Sequence, residues 1–229
     1  MNQFLGGTMR AIAESFHLPE PILEIGSLQV EGKGQADTIN LRGLFPGKAY
    51  TGVDFRAGPG VDCVANVEAL PQKDASVGTV IALSTFEHVK RFWLGFQEIE
   101  RVLRPDGVFV VATPFYFHIH AYPSDYWRFT TEALDSLLTG YPLRLLGQHG
   151  AERRPANVWA VAFREASRTP TKDDLELYRA KMDAYAREPL PWHRRLRYQM
   201  GRAVCGRRPF APHLDRERWT VECRTKVAS

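Results

Sequence analysis

Residues 118–130 read "HIHAYPSDYWRFT", which sets His118, His120, Tyr122, Asp125, Tyr126, Trp127 and Arg128 within thirteen positions. An imidazole titrates near neutrality and suits a general base, and a nearby carboxylate can orient it. Tyrosine and tryptophan rings stack on the apolar face of a sugar ring, while a guanidinium donates to hydroxyls. A second group stands in "STFEHV", where Glu87 and His88 are neighbours and His88 is another candidate base. Glu87, His88, His118 and Asp125 together could hold a hard divalent cation such as Mg2+. The duller reading is an Asp125–Arg128 ion pair, with Tyr126, Trp127 and Phe129 packing the loop onto its own domain.

A third group consists of acids at the ends of apolar runs. Glu24 and Gly26 stand in "LEIGS" and Asp54 in "GVDF". An acid such as Asp54 can accept from both hydroxyls of an adenosine ribose. A dinucleotide fingerprint needs glycine at 26, 28 and 31, but the chain has Gly26, Leu28 and Glu31. The backbone cradle for a pyrophosphate is therefore missing. Glu24 would repel phosphate and tolerate a sulfonium and an ammonium, which points to S-adenosylmethionine (SAM).

These groups need a scaffold. "PILEIGSL", "AYTGVDF", "VDCVAN", "SVGTVIALS" and "VFVVATPF" read as strands, and "LRLLGQHG" and "ANVWAVAFRE" as a closing antiparallel pair. Residues 1–18 and 91–103 have helical periodicity, "RPDG" stops the second helix, and "TTEALDSLL" is a helix capped by Thr130 or Thr131. Pro123 prevents the 118–130 stretch from being one helix. The alternation predicts an α/β, Rossmann-like sheet with its ligands at the strand ends.

The 229 residues suffice for one large core, and no run resembles a signal peptide or a membrane span. Cys63, Cys205 and Cys223 lack metal-like spacing, so reduced thiols in a cytoplasmic protein are expected. Residues 1–165 carry 15 Lys+Arg against 18 Asp+Glu, whereas 166–229 carry 15 against 8. The division predicts a near-neutral catalytic domain over 1–165 and a basic helical extension over 166–229.

Taken as a set, "ILEIGS", "YTGVDF", "VANVEALP", "STFEHV" and "EIERVLRPDGVFVVATP" resemble the class I SAM-dependent methyltransferases over about residues 20–165. The resemblance implies a seven-stranded sheet, mostly parallel with the last strand antiparallel. It implies that Glu24, Gly26, Ser27 and Ser84 meet the methionine part of SAM. Asp54 and Phe55 then meet the ribose, and Asn66 and Val67 the adenine. The family's GxGxG is reduced here to "GSLQV", so the loop takes another path, with Gly32 or Gly34 as candidates, and Asn66 stands for the common Asp. "DYWRF" with "EIGS" is similar to a subgroup associated with polysaccharide and glycolipid synthesis, such as methylmannose-polysaccharide O-methyltransferases.

The expected function is SAM-dependent O-methylation of a sugar or oligosaccharide hydroxyl. His120, His118 or His88 would be the base, and Glu87, Tyr122, Asp125, Tyr126, Trp127 and Arg128 would contact the acceptor. The alternatives are an amine or phenol methyltransferase of natural-product synthesis and a non-catalytic SAM-fold binding module. "NPPY"-like and "PC" motifs are missing, which argues against nucleic acid as substrate. "WHRRLRYQMGRAVCGRR" holds six arginines and no acid. Its amphipathic face suits packing on the domain or on a twin subunit, ahead of an anionic membrane surface.

Overall fold

The computed structural model describes residues 3–29, 40–120, 123–165, 167–186, 192–205 and 218–225. The strands are β1 (Ile22–Ile25), β2 (Tyr50–Asp54), β3 (Cys63–Val64), β4 (Val77–Leu83), β5 (Leu103–Pro114), β6 (Leu143–Ala151), β7 (Arg154–Phe163) and β8 (Trp219–Thr225). They form one sheet in the order β3-β2-β1-β4-β5-β7-β6-β8. β1 to β5 pair in parallel, and β6, β7 and β8 are antiparallel to their neighbours. The strand order reverses between β1 and β4, which is where an open α/β sheet places its ligand crevice.

β5 explains why the sheet must be covered on both faces. Val108, Val110 and Ala112 enter one buried cluster, and Phe109 and Val111 enter the other, as the two-residue strand period requires. On one face lie α2 (Phe92–Val102) and α3 (Thr131–Leu137), contributing Phe96, Ile99, Val102 and Leu134. On the opposite face lie α1 (Gln3–Ser15) and α4 (Lys172–Tyr185), contributing Phe4, Met9, Ile12, Tyr178 and Met182.

Three sequence expectations change. The sheet gains an eighth strand, because Trp219–Thr225 pairs antiparallel along the outer edge of β6. The C-terminal extension is therefore not solely helical: besides α4 and α5 (Trp192–Cys205) it supplies β8. α4 also shares the core of the preceding residues, since Tyr178 is buried and its hydroxyl accepts from Trp159 Nε1 at 3.0 Å. Third, Leu103 already pairs with Val77, so "RPDG" is a bulged excursion inside β5 before the ladder resumes at Thr79–Val108.

Candidate active site

At the switch point the backbone adopts two conformations that few side chains tolerate. Gly26, directly after β1, has φ +78°, and a Cβ there would lie 2.2 Å from Thr85 Oγ1. Glycine is thus required twice over, by conformation and by space. Ser84, directly after β4, has φ +53°, a sparsely populated region for a residue with a side chain. Thr85 Oγ1 donates to the Ile25 carbonyl at 3.0 Å and ties the two strand ends together.

A cavity of about 390 Å³ opens here. The strand-end residues named from the sequence meet along one side of it: Glu24 in β1 with Gly26 and Ser27 after it, Asp54 at the end of β2 with Phe55 after it, Asn66 and Val67 after β3, and Ser84 after β4. Asp54 is nearly buried and accepts from the backbone N–H groups of Leu28 (3.4 Å) and Arg56 (3.0 Å). Asn66 Oδ1 accepts from the Glu68 N–H at 3.0 Å. Glu24 accepts from the Tyr50 hydroxyl at 2.6 Å, and burial raises its pKa above the ordinary carboxylate value. Ser27 Oγ is buried without a hydrogen-bond partner among the described residues, on the wall of the cavity.

The other side of the cavity carries His88, His120, Ser124 and Tyr126. Glu87 and His88 lie in a single 3-10 turn after β4. The loop after β5 clips onto that turn, because the Tyr126 and Trp127 N–H groups both donate to the Glu87 carbonyl, at 2.7 and 3.3 Å. The Trp127 indole N–H donates to the Val89 and Lys90 carbonyls, and its ring packs edge-on against Phe92. Trp127 does not line the cavity, so its observed contacts are structural.

Asp125 organises the loop. Its carboxylate pairs with both terminal nitrogens of Arg128, accepts from the His120 N–H at 2.9 Å, and lies 3.0 Å from His120 Nδ1. The Arg128 hydrogen bond, above all, holds Asp125 well below the usual carboxylate range. Arg128 and Asp125 therefore engage each other rather than facing the cavity. His118 is exposed, stacks on Phe117, and does not line the cavity. Tyr122, Gly32 and Gly34 lie outside the described residues.

Glu87, His88 and His120 converge. One ligand-type atom from each lies within 4.8 Å of the others, and the His88 and His120 rings are 4.8 Å apart, edge to face. His88 Nε2 is 3.7 Å from Glu87 Oε1, and His88 Nδ1 is 2.6 Å from the Ser124 carbonyl. Glu87 is fully buried, and neither carboxylate oxygen has a hydrogen-bond partner among the described residues. Burial pushes its pKa up to about 8. Burial likewise lowers His88 below the ordinary imidazole value, outweighing the contact with Ser124. This cluster differs from the set read in the sequence: His120 takes the place of His118, and Asp125 stands one layer behind. Thr85 and Ser124 also belong to the site, although an isolated Thr or Ser carries no sequence signal of its own.

Residues 41–111 match the family described as "Methyltransferase domain". The chain thus carries a methyltransferase domain. It also shares its fold with solved structures. One is a SAM-dependent methyltransferase from Thermotoga maritima, titled "possible histamine N-methyltransferase", at 19% identity and TM-score 0.50, covering 71% of this chain and 89% of that one. Another is the 1,6-didemethyltoxoflavin-N1-methyltransferase of Burkholderia thailandensis, solved with S-adenosylhomocysteine, at 18% identity and TM-score 0.50, covering 69% and 78%. A third is a SAM-dependent methyltransferase from Archaeoglobus fulgidus, at 13% identity and TM-score 0.52, covering 70% and 93%. No curated protein matches the sequence. Among the described residues, no helix is long and apolar enough to cross a membrane.

Proposed function

We propose that the methyltransferase transfers the methyl group of SAM to a hydroxyl of a sugar or oligosaccharide. The residues of the strand-end wall fit the donor. Asp54 would accept from the ribose hydroxyls, Phe55 would border the ribose, and Asn66 and Val67 would flank the adenine. The Gly26–Ser27 turn, with Glu24 and Ser84, would meet the methionine part, where the unpartnered Ser27 Oγ offers a hydrogen bond. When bound, SAM supplies an electrophilic methyl carbon on a sulfonium.

The observation that carries the acceptor reading is His120 held by Asp125 on the opposite wall of the same cavity. A sugar hydroxyl is a very weak acid and needs help to lose its proton, whereas a neutral amine does not. Asp125 fixes the His120 backbone and lies 3.0 Å from the ring, whose imidazole would take the proton. As the hydroxyl oxygen bonds to the methyl carbon, the carbon–sulfur bond breaks and the proton passes to the imidazole. The exposed Tyr126, which lines the same cavity as His120, would offer an apolar ring surface for a pyranose face.

Incubation with methyl-labelled SAM and a panel of mono- and oligosaccharides, phenols and amines tests the reading. Label in a sugar methyl ether, with S-adenosylhomocysteine released in equal amount, is the expected result. Label appearing only in amines or phenols would overturn the sugar assignment.

A further inference from the structure

We propose that Glu87, His88 and His120 form a binding site for a divalent first-row transition ion at the acceptor end of the cavity. The inference rests on the methyl-transfer reading only for what the ion would do there, not for whether it binds.

Two independent features of the cluster point to a cation. The first is Glu87, whose carboxylate is fully buried with both oxygens lacking a hydrogen-bond partner among the described residues. A buried carboxylate without donors is costly, and a cation in contact with it removes the cost. The second is the way both imidazoles are held. His88 Nδ1 lies 2.6 Å from the Ser124 carbonyl, and His120 Nδ1 lies 3.0 Å from the Asp125 carboxylate. His88 is held as metal-binding histidines are, with one ring nitrogen on a carbonyl so that the other carries the lone pair, while Asp125 holds His120 through its backbone N–H at 2.9 Å. The Arg128 ion pair fixes Asp125 in place.

The donor set decides the type of ion. Two imidazole nitrogens and one carboxylate oxygen suit Zn2+, Co2+ or Fe2+ better than Mg2+, which prefers an all-oxygen shell. Three protein ligands leave at least one position open for an acceptor oxygen. The ligand atoms, now up to 4.8 Å apart, need to close to about 3.4 Å for bonds of 2.0–2.2 Å in a tetrahedron. A cation there would lower the pKa of a hydroxyl that binds it, and the activation would pass from His120 to the ion.

The test uses the full chain, stripped with chelator and titrated with Zn2+ by calorimetry and with Co2+ by visible absorption. One equivalent per chain should bind, and Co2+ should show the d–d bands of nitrogen and oxygen ligation. Glu87→Gln and His120→Ala should each weaken binding at least about 100-fold, and Asp125→Asn about 10–100-fold by loosening the loop that carries His120. His118→Ala, outside the cluster, should leave metal affinity unchanged. Thermal melts of each variant separate loss of the site from loss of the fold. Absence of stoichiometric binding, or affinity unaltered in folded Glu87→Gln and His120→Ala, would overturn the proposal. Metal bound at this site with no sugar methylated would instead count against the acceptor reading alone.

Discussion

The two walls of the cavity are built from different materials. The strand-end wall is mostly backbone geometry: a left-handed Gly26, a left-handed Ser84, and an Asp54 carboxylate held by two amide N–H groups. The opposite wall is a side-chain assembly in which His88 and His120 come together from a short turn and a long loop, with the buried Glu87 behind them. The sheet fixes the first wall, so it can bind a ligand without further ordering. The second stores a buried carboxylate and depends on the Asp125–Arg128 pair to hold its loop. In the proposed function the first wall would seat the donor and the second would act on the acceptor.

Variants should separate the two walls. His120→Ala should lower turnover about 10²–10⁴-fold while SAM affinity, measured by calorimetry, stays unchanged. A parallel fall in SAM affinity would erase the distinction between the walls.

Glu87 gives the next largest effect, read as stability against pH in the metal-free protein. Burial raises its pKa from 4.5 to about 8, so the folded state holds this proton more tightly than the unfolded chain. The stabilisation is complete below about pH 4.5 and is lost as pH rises through about 8, a fall of a few kcal/mol. Glu87→Gln should flatten that slope in denaturant melts across pH 5–9, and an unchanged slope would show that Glu87 is not its source.

On the strand-end wall, Asp54→Ala should weaken SAM binding by about 2–3 kcal/mol, a charge-assisted contact, with turnover at saturating SAM largely retained. Gly26→Ala should cost about 1–2 kcal/mol of stability from conformation alone, before the encounter with Thr85. Denaturant midpoints for Gly26→Ala alone and combined with Thr85→Ala would divide strain from clash. The smallest effect is expected from Trp127→Phe, which keeps the packing on Phe92 and removes the indole hydrogen bond to Val89 and Lys90. It should cost about 1 kcal/mol of stability and leave the acceptor KM unchanged. A large rise in that KM would return Trp127 to the acceptor pocket.

Much of the strand-end wall was legible in the sequence because it depends on local periodicity. Near-continuous apolar runs such as "VGTVIAL" and "VFVVAT" mark buried parallel strands; Gly26 and Asp54 follow from standing at strand ends, and Ser84 from the family resemblance. β8 was not legible for the opposite reason. As an edge strand with one face in solvent, "WTVECRT" has too few apolar residues to stand out from a basic tail.

The second wall belongs to tertiary structure. His118 and His120 are two residues apart in an irregular loop, where no period dictates which one turns inward. Asp125 decides it, by capturing the N–H of His120 and standing 3.0 Å from its ring while His118 remains in solvent. Glu87 likewise reads as an ordinary acid in a turn after a strand. It becomes a buried carboxylate only because Tyr126 and Trp127, some forty residues later, fold across its backbone. Sequence by itself determined β1 to β7 and the residues at their ends, since each needs only its neighbours' pattern. Which acid lost its water, and which imidazole met it, depended on contacts between distant segments.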